Sequence, residues 1–139
     1  MLVSLSLAAE TLPDFIAYAK ANPGKINMAS AGPGSAPGMY GELFKSMAGV
    51  DLVTVNYRGS APDMPDLFAG RVQVLFEPAI SAIAPVVAGK VRALGVTNAT
   101  RIVQLPMSLQ LASTYPAMWP RVGKRFVRRR TRRRKSSLP

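Results

Sequence analysis

Apolar positions recur at helical spacing between residues 11 and 22 and predict the first regular element. Thr11 can cap this helix, and Phe15 and Ala19 fall on one face of it. The Asn-Pro-Gly sequence at 22–24 ends the pattern, because proline and glycine both interrupt helices. The segment therefore reads as an amphipathic helix that packs against a core.

Short apolar runs and helical patterns alternate along the next 75 residues. Predicted strands cover 25–30, 51–55, 71–76 and 91–96, and predicted helices cover 37–48, 61–69 and 80–88. Glycine follows each of these helices, at Gly49, Gly70 and Gly89, as is common at helix ends. This alternation predicts an α/β fold in which a mostly parallel sheet is flanked by helices.

In such a sheet, ligands bind beyond the carboxyl ends of the strands, where three predicted loops lie at 30–35, 56–60 and 77–79. The first loop is rich in glycine and leads into a helix. Glycines allow the backbone to approach a ligand closely, and a helix start offers unpaired N–H groups to an anion. The same residues would also suit a plain strand-to-helix connection, so both interpretations stand.

Four side chains in the other two loops suit a small anionic ligand. Tyr57 and Ser60 offer hydroxyls, Arg58 offers a guanidinium group, and Glu77 offers a polarising carboxylate. Each has an ordinary alternative: Tyr57 as a packing residue, Arg58 as a solvated surface charge, and Glu77 as a cap for the next helix.

The amino-acid composition narrows the range of possible functions. The 139 residues are 48% hydrophobic, with a mean hydropathy of +0.14, which suffices for one domain with a core. The chain has no cysteine and no histidine, which argues against thiol catalysis, Ser-His triads and the usual zinc sites. We therefore expect neither an enzyme nor a cofactor or metal site.

The net charge of +11 is distributed unevenly. Residues 121–139 contain ten lysines and arginines and no acid, whereas residues 1–120 contain eight basic and seven acidic residues. A dense arginine run such as 128–135 can neutralise phosphates, so an alternative function is binding of nucleic acid or another anionic surface.

Several segments then resemble one family in order and spacing: 22–35, 41–51, 57–62, 73–76 and 88–97. They closely resemble the tripartite tricarboxylate transporter receptors, the Bug family of extracytoplasmic solute receptors, from about Leu5 to Pro106. The resemblance implies a type II periplasmic-binding-protein fold of two lobes. It also implies binding of a small carboxylate without chemistry, and delivery of that ligand to a membrane permease.

The resemblance also assigns site residues. The carboxylate turn of the family's second lobe aligns with the first loop, and the family's Tyr-Arg-Gly-Ser stretch aligns with the second. The family usually has aspartate where this chain has Glu77, and often histidine where it has Gly38. The ligand-binding residues expected on this basis are Ser30, Ala31, Gly32, Gly34, Ser35, Tyr57, Arg58, Gly59, Ser60 and Glu77.

Relative to the family, the chain is expected to be incomplete. We interpret 1–106 as a partial receptor, mainly the second lobe at about 22–100, and 107–139 as a basic, disordered tail unlike the family. A frameshift near codon 106 is our hypothesis for that change.

Residues 1–9 lack the basic start of a signal peptide, so the chain is expected to stay in the cytoplasm although the family is periplasmic. An incomplete lobe is also expected to self-associate.

Overall fold

The computed structural model of this chain describes residues 1–59 and 61–97 together with one short strand further on. The strands are β1 (Leu2–Ser4), β2 (Asn27–Ser30), β3 (Val53–Asn56), β4 (Val74–Leu75), β5 (Val91–Ala93), β6 (Gly95–Val96) and β7 (Leu109–Gln110). The helices are α1 (Leu12–Ala21), α2 (Ala36–Ala48), α3 (Asp63–Phe68) and α4 (Ala79–Val87). None of the helices in the described residues is long and apolar enough to cross a membrane.

Five strands form the main sheet, in the order β3-β2-β4-β1-β5. β2 pairs in parallel with β3 and with β4, as the alternating pattern predicted. β1 adds antiparallel pairings with β4 and β5, so the sheet is mixed rather than mostly parallel. The expected α/β fold is confirmed. The antiparallel pairings arise because β1 inserts between two strands that are distant from it in sequence, and no local pattern predicted this strand.

The helices cover both faces of this sheet because neighbouring strand residues point to opposite sides. On one side, Phe15 of α1 and Phe44 of α2 pack with Val3 and Val74. On the other, the helices α3 and α4 bury their apolar residues against Leu2 and the adjacent strands. The result is a three-layer arrangement with the sheet in the middle.

Local capping explains why the first two helices begin and end where they do. Thr11 accepts a hydrogen bond from the backbone N–H of Asp14, and Ser35 caps α2 by accepting one from the N–H of Gly38. Gly49 ends α2 in the left-handed conformation, with φ of 65°, as its position predicted.

The predicted strand at 91–96 is two strands, because the chain leaves the main sheet after Ala93. β6 instead pairs in parallel with β7. Ser60, the basic segment at 121–139 and the expected change of sequence at 106 lie outside the residues whose structure is described.

Candidate functional site

The three loops predicted to share one edge of the sheet do so. They leave the carboxyl ends of β2, β3 and β4, which are parallel neighbours. The backbone N–H of Tyr57 donates to the carbonyl of Ser30 at 2.8 Å and joins the first two loops directly. This edge, which we call the rim, is formed by 30–35, 56–59 and 77–79.

The first loop is held in shape by its own hydrogen bonds. The Ser30 hydroxyl accepts a hydrogen bond from the N–H of Gly32 at 3.2 Å, and the Ser35 hydroxyl donates to the Gly32 carbonyl at 2.8 Å. Gly32 and Gly34 have φ values of 107° and 80°, a region that favours glycine. The glycines are therefore required by the backbone path of the turn.

This turn leaves backbone donors unused. Within the described part of the chain, the N–H groups of Ala31, Gly34 and Ala36 have no hydrogen-bond partner. Gly34 and Ala36 are exposed, and Ala36 is the first residue of α2, where the helix dipole favours negative charge. The turn can therefore accept a small anion.

Gly38 allows the turn to pack closely on α2. A Cβ atom at this buried position would lie 2.8 Å from the Ser30 hydroxyl, 2.9 Å from the Ser35 hydroxyl and 3.0 Å from the Gly32 carbonyl. The turn and the first turn of α2 therefore leave no room for a side chain here, and this structure could not hold a histidine without rearrangement.

Tyr57 uses its hydroxyl within the protein. It donates to Asp66 of α3 at 2.8 Å, and Arg71 donates to the other carboxylate oxygen of Asp66 at 3.0 Å. Burial, and then the hydrogen bond to Asp66, raise the pKa of Tyr57 to about 12. The hydrogen bonds from Tyr57 and Arg71 lower the pKa of Asp66. In this structure, Tyr57 fixes the loop after β3 onto α3.

Arg58 and Gly59 form the exposed part of the second loop. Gly59 has a φ of 95°, and the Arg58 side chain has no hydrogen bond or ion pair to any other described residue. The guanidinium of Arg58 is thus a solvated charge near the rim, available to an anion that binds there.

Two carboxyl groups near the rim have unused oxygens. Oε1 of Glu77 accepts a hydrogen bond from the Ser81 hydroxyl at 2.7 Å, while its Oε2 is buried without a partner. No described side chain accepts a hydrogen bond from the backbone N–H groups at the start of α4, so the helix-cap interpretation of Glu77 is wrong. Asp63, the first residue of α3, is only 1% exposed, and neither of its carboxylate oxygens has a partner among the described residues.

Burial raises the pKa of Asp63 to about 6, and the negative charge of Glu77 adds to this increase. The nearby N–H groups of Asp63 and Met64 act in the opposite direction without forming a well-oriented hydrogen bond. No sequence pattern predicted this site, because an aspartate at the start of a helix usually lies in contact with water.

A cavity of about 250 Å³ lies beside the turn, between the first turns of α2 and α4. Its walls are mainly apolar, and Glu77 is the one charged side chain among its described lining residues. The lining comprises Met1, Leu2, Ala36, Pro37, Tyr40, Phe76, Glu77, Pro78, Ala79, Ala82, Ala93, Gly95, Val96 and Thr97. An anion on the turn could therefore extend an apolar body into this cavity.

The sheet, its helices and this rim form an α/β structure of the kind found in periplasmic solute-binding proteins, as comparison with known proteins shows. The model of the tripartite tricarboxylate transporter family receptor matches residues 1–115, so the chain belongs to this family, as its resemblance predicted. This chain therefore belongs to a family of solute-binding receptors rather than to a family of enzymes.

Individual relatives support the same assignment. The chain is 44% identical over 88 residues to the "UPF0065 protein in tcbD-tcbE intergenic region" of Pseudomonas sp. strain P51, covering 63% of this chain. It superposes on "R. palustris Rpa4515 with adipate" with a TM-score of 0.76 and 34% identity, over 81% of its residues. It superposes on periplasmic binding protein BugD with a TM-score of 0.81 and 28% identity, over 86% of its residues.

The chain is much shorter than these relatives. It spans 26% of the length of the Pseudomonas protein, 38% of the Rpa4515 chain and 40% of the BugD chain. The similarity therefore concerns one part of each relative.

Proposed function

We propose that this chain binds a small organic carboxylate as the second lobe of a periplasmic receptor for a tripartite tricarboxylate-type transporter. The observation that carries the proposal is the turn at 30–35, with its unpaired N–H groups at the start of α2. Backbone donors at a helix start suit a carboxylate, because they supply hydrogen bonds and favourable charge together.

The rest of the rim supports the same ligand class. Arg58 offers a positive charge to the carboxylate at the exposed side of the rim, and the cavity beside the turn can accept the apolar part of the ligand. The volume of about 250 Å³ lies a little below the usual range for ligand pockets and so suits a small body. The relative Rpa4515, which is described with adipate, is consistent with a short carboxylate.

The lobe assignment rests on the family and on the length of the match. The resemblance implies a receptor that closes two lobes on its ligand, and this chain spans 38% and 40% of two solved relatives. We propose that 1–106 supplies part of a receptor, mainly the second lobe, and that the permease is the partner. This lobe by itself should bind carboxylates more weakly than two closed lobes would, because less of the ligand is buried.

A pair of substitutions at Ala36 tests the proposal by calorimetry with a panel of short mono- and dicarboxylates. Ala36→Glu places a negative charge at the turn but keeps α2 stable, since acidic residues are favoured at helix starts. We expect it to abolish carboxylate binding, whereas Ala36→Gln, of the same shape without the charge, retains it. Equal binding by both variants would show that the carboxylate binds elsewhere.

A further inference from the structure

The first turn of α3, at residues 61–64, is attached less firmly than the rest of that helix. The proline before the helix forms no side-chain cap hydrogen bond, and the chain that leads into the helix is exposed. The second half of α3 is anchored, because Leu67 is fully buried and Asp66 accepts two hydrogen bonds from outside the helix. The attachment of the first turn therefore depends on its two inward side chains, Asp63 and Met64.

Asp63 occupies a position that disfavours its own charge. The residue is buried, and neither carboxylate oxygen has a hydrogen-bond partner among the described residues. A buried carboxylate without a partner is costly, whereas a protonated carboxyl group loses much less on burial. At a helix start exposed to water, in contrast, the helix dipole favours a negative charge. Asp63 therefore has two favourable states: neutral and buried, or charged and exposed.

The groups that face Asp63 do not compensate its charge. Glu77, on the loop after β4, has the same charge and acts on Asp63. The Tyr57 hydroxyl donates to Asp66, and its pKa of about 12 keeps it neutral. The strands β1, β2 and β4, which pack against α3, contain no charged side chain, and neither does α4.

Two positive groups near this region have other partners. Arg71 forms an ion pair with Asp66 at 3.0 Å. The amino group of Met1, next to β1, donates to the carbonyl of Gly95 at 2.7 Å, and burial lowers its pKa to about 5. Because the Met1 amino group would lose its charge at a similar pH, any pH effect must be assigned to it or to Asp63 by substitution.

We propose that the first turn of α3 is a pH-dependent switch, in which protonated Asp63 holds residues 61–64 against the sheet and ionised Asp63 releases them into water. The rest of α3 stays attached through Leu67 and Asp66. Arg58 lies shortly before this turn and is exposed, so the switch also changes the position of a charge at the rim. The switch does not require that the chain binds a carboxylate.

The direction and size of the effect follow from proton linkage. Burial, and then the charge of Glu77, raise the pKa of Asp63 from 3.8 to about 6 while the turn is closed. Between about pH 4 and pH 6, the ratio of open to closed turns should therefore rise about tenfold per pH unit, and it should level off above pH 6. The closed turn is favoured at low pH.

Amide hydrogen exchange, followed by nuclear magnetic resonance, detects this opening even when the open state is rare. The Leu67 N–H lies four residues after Asp63, so its helical hydrogen bond depends on the first turn. We expect its protection, corrected for the intrinsic exchange rate, to fall about tenfold per unit from pH 4 to pH 6. Low urea should accelerate exchange in β2 but leave Leu67 unchanged, because local opening exposes little surface.

Three substitutions assign the effect. Asp63→Asn should keep the turn closed and remove the pH dependence at Leu67, although the Met1 amino group still titrates in this variant. The matched control Glu10→Gln, at an exposed position, should retain the dependence. In Glu77→Gln, the dependence should level off at a lower pH, because Asp63 then ionises more easily.

Several outcomes would overturn the switch. Protection of Leu67 that does not change with pH in the unsubstituted chain would do so, as would a pH dependence that persists in Asp63→Asn. Exchange of Leu67 only together with β2 would show global unfolding instead of local opening. An unchanged curve in Glu77→Gln would contradict the coupling of the two carboxyl groups. Local exchange whose pH dependence is lost in Asp63→Asn and retained in Glu10→Gln would establish the switch.

Discussion

Asp63 provides the sharpest prediction for stability, because its carboxyl group is buried without a partner. Burial and the charge of Glu77 raise its pKa from an ordinary value of 3.8 to about 6. The folded protein therefore binds a proton between about pH 4 and pH 6 that the unfolded chain has released. The contribution of Asp63 to the free energy of unfolding is therefore most favourable below pH 4 and decreases as the pH rises to 6.

The magnitude follows from the size of the shift. A difference of about two pKa units corresponds to roughly 3 kcal/mol of free energy of unfolding at pH 7. Asp63→Asn keeps the shape of the side chain and removes its charge, so it should recover up to that amount at pH 7. At pH 4, where the folded protein already holds Asp63 protonated, the same substitution should change stability little.

Urea unfolding of both proteins at pH 4 and pH 7, followed by circular dichroism, measures the two differences. Asp66→Asn is the matched control. Because Asp66 accepts hydrogen bonds from Tyr57 and Arg71, this variant should be less stable than the unsubstituted protein at pH 7. The reasoning is refuted if Asp63→Asn destabilises the protein at pH 7, since Asp63 would then have a partner. An equal effect at both pH values would also contradict it.

Two further substitutions test how the rim is built. Gly38→Ala should lower the free energy of unfolding by about 1 kcal/mol or more, because its Cβ would lie within 3 Å of the Ser30 and Ser35 hydroxyls, and thermal unfolding measures the loss. Tyr57→Phe should cost about 1 to 2 kcal/mol in urea unfolding at pH 7, because Asp66 loses a hydrogen bond.

Matched substitutions control both tests. Gly41→Ala is also in α2, but its Cβ would meet only the flexible end of Met28 closely, so we expect a smaller loss than at Gly38. Tyr18→Phe removes an exposed hydroxyl and should leave stability unchanged. An increase in stability for Gly38→Ala would show that the turn at 30–35 adjusts to the added methyl group at little cost. No change for Tyr57→Phe would mean that its bond to Asp66 contributes nothing.

The elements that the sequence predicted well are those determined locally. Thr11 and Gly49 mark helix boundaries through their own side chain or backbone conformation, and the structure places α1 and α2 accordingly. The turn at 30–35 was predictable for the same reason, because its glycines adopt positive φ values.

The features that escaped prediction depend on contacts between distant residues. β1 is a strand because it lies between β4 and β5, which are about 70 and 90 residues away along the chain. The cavity depends on β1 as well, since Met1 and Leu2 form part of its wall. The burial of Asp63 follows from how α3 packs on the sheet, which no local pattern reveals.

Amide-resolved titration of the nitrogen-15-labelled chain with a short carboxylate tests the central claim most directly, because it locates the bound ligand. The account predicts that the largest shifts occur at the N–H groups of Ala31, Gly34 and Ala36, and that Ala36→Glu eliminates them. Saturable shifts confined to residues away from the rim, or no shifts at millimolar ligand, would contradict it.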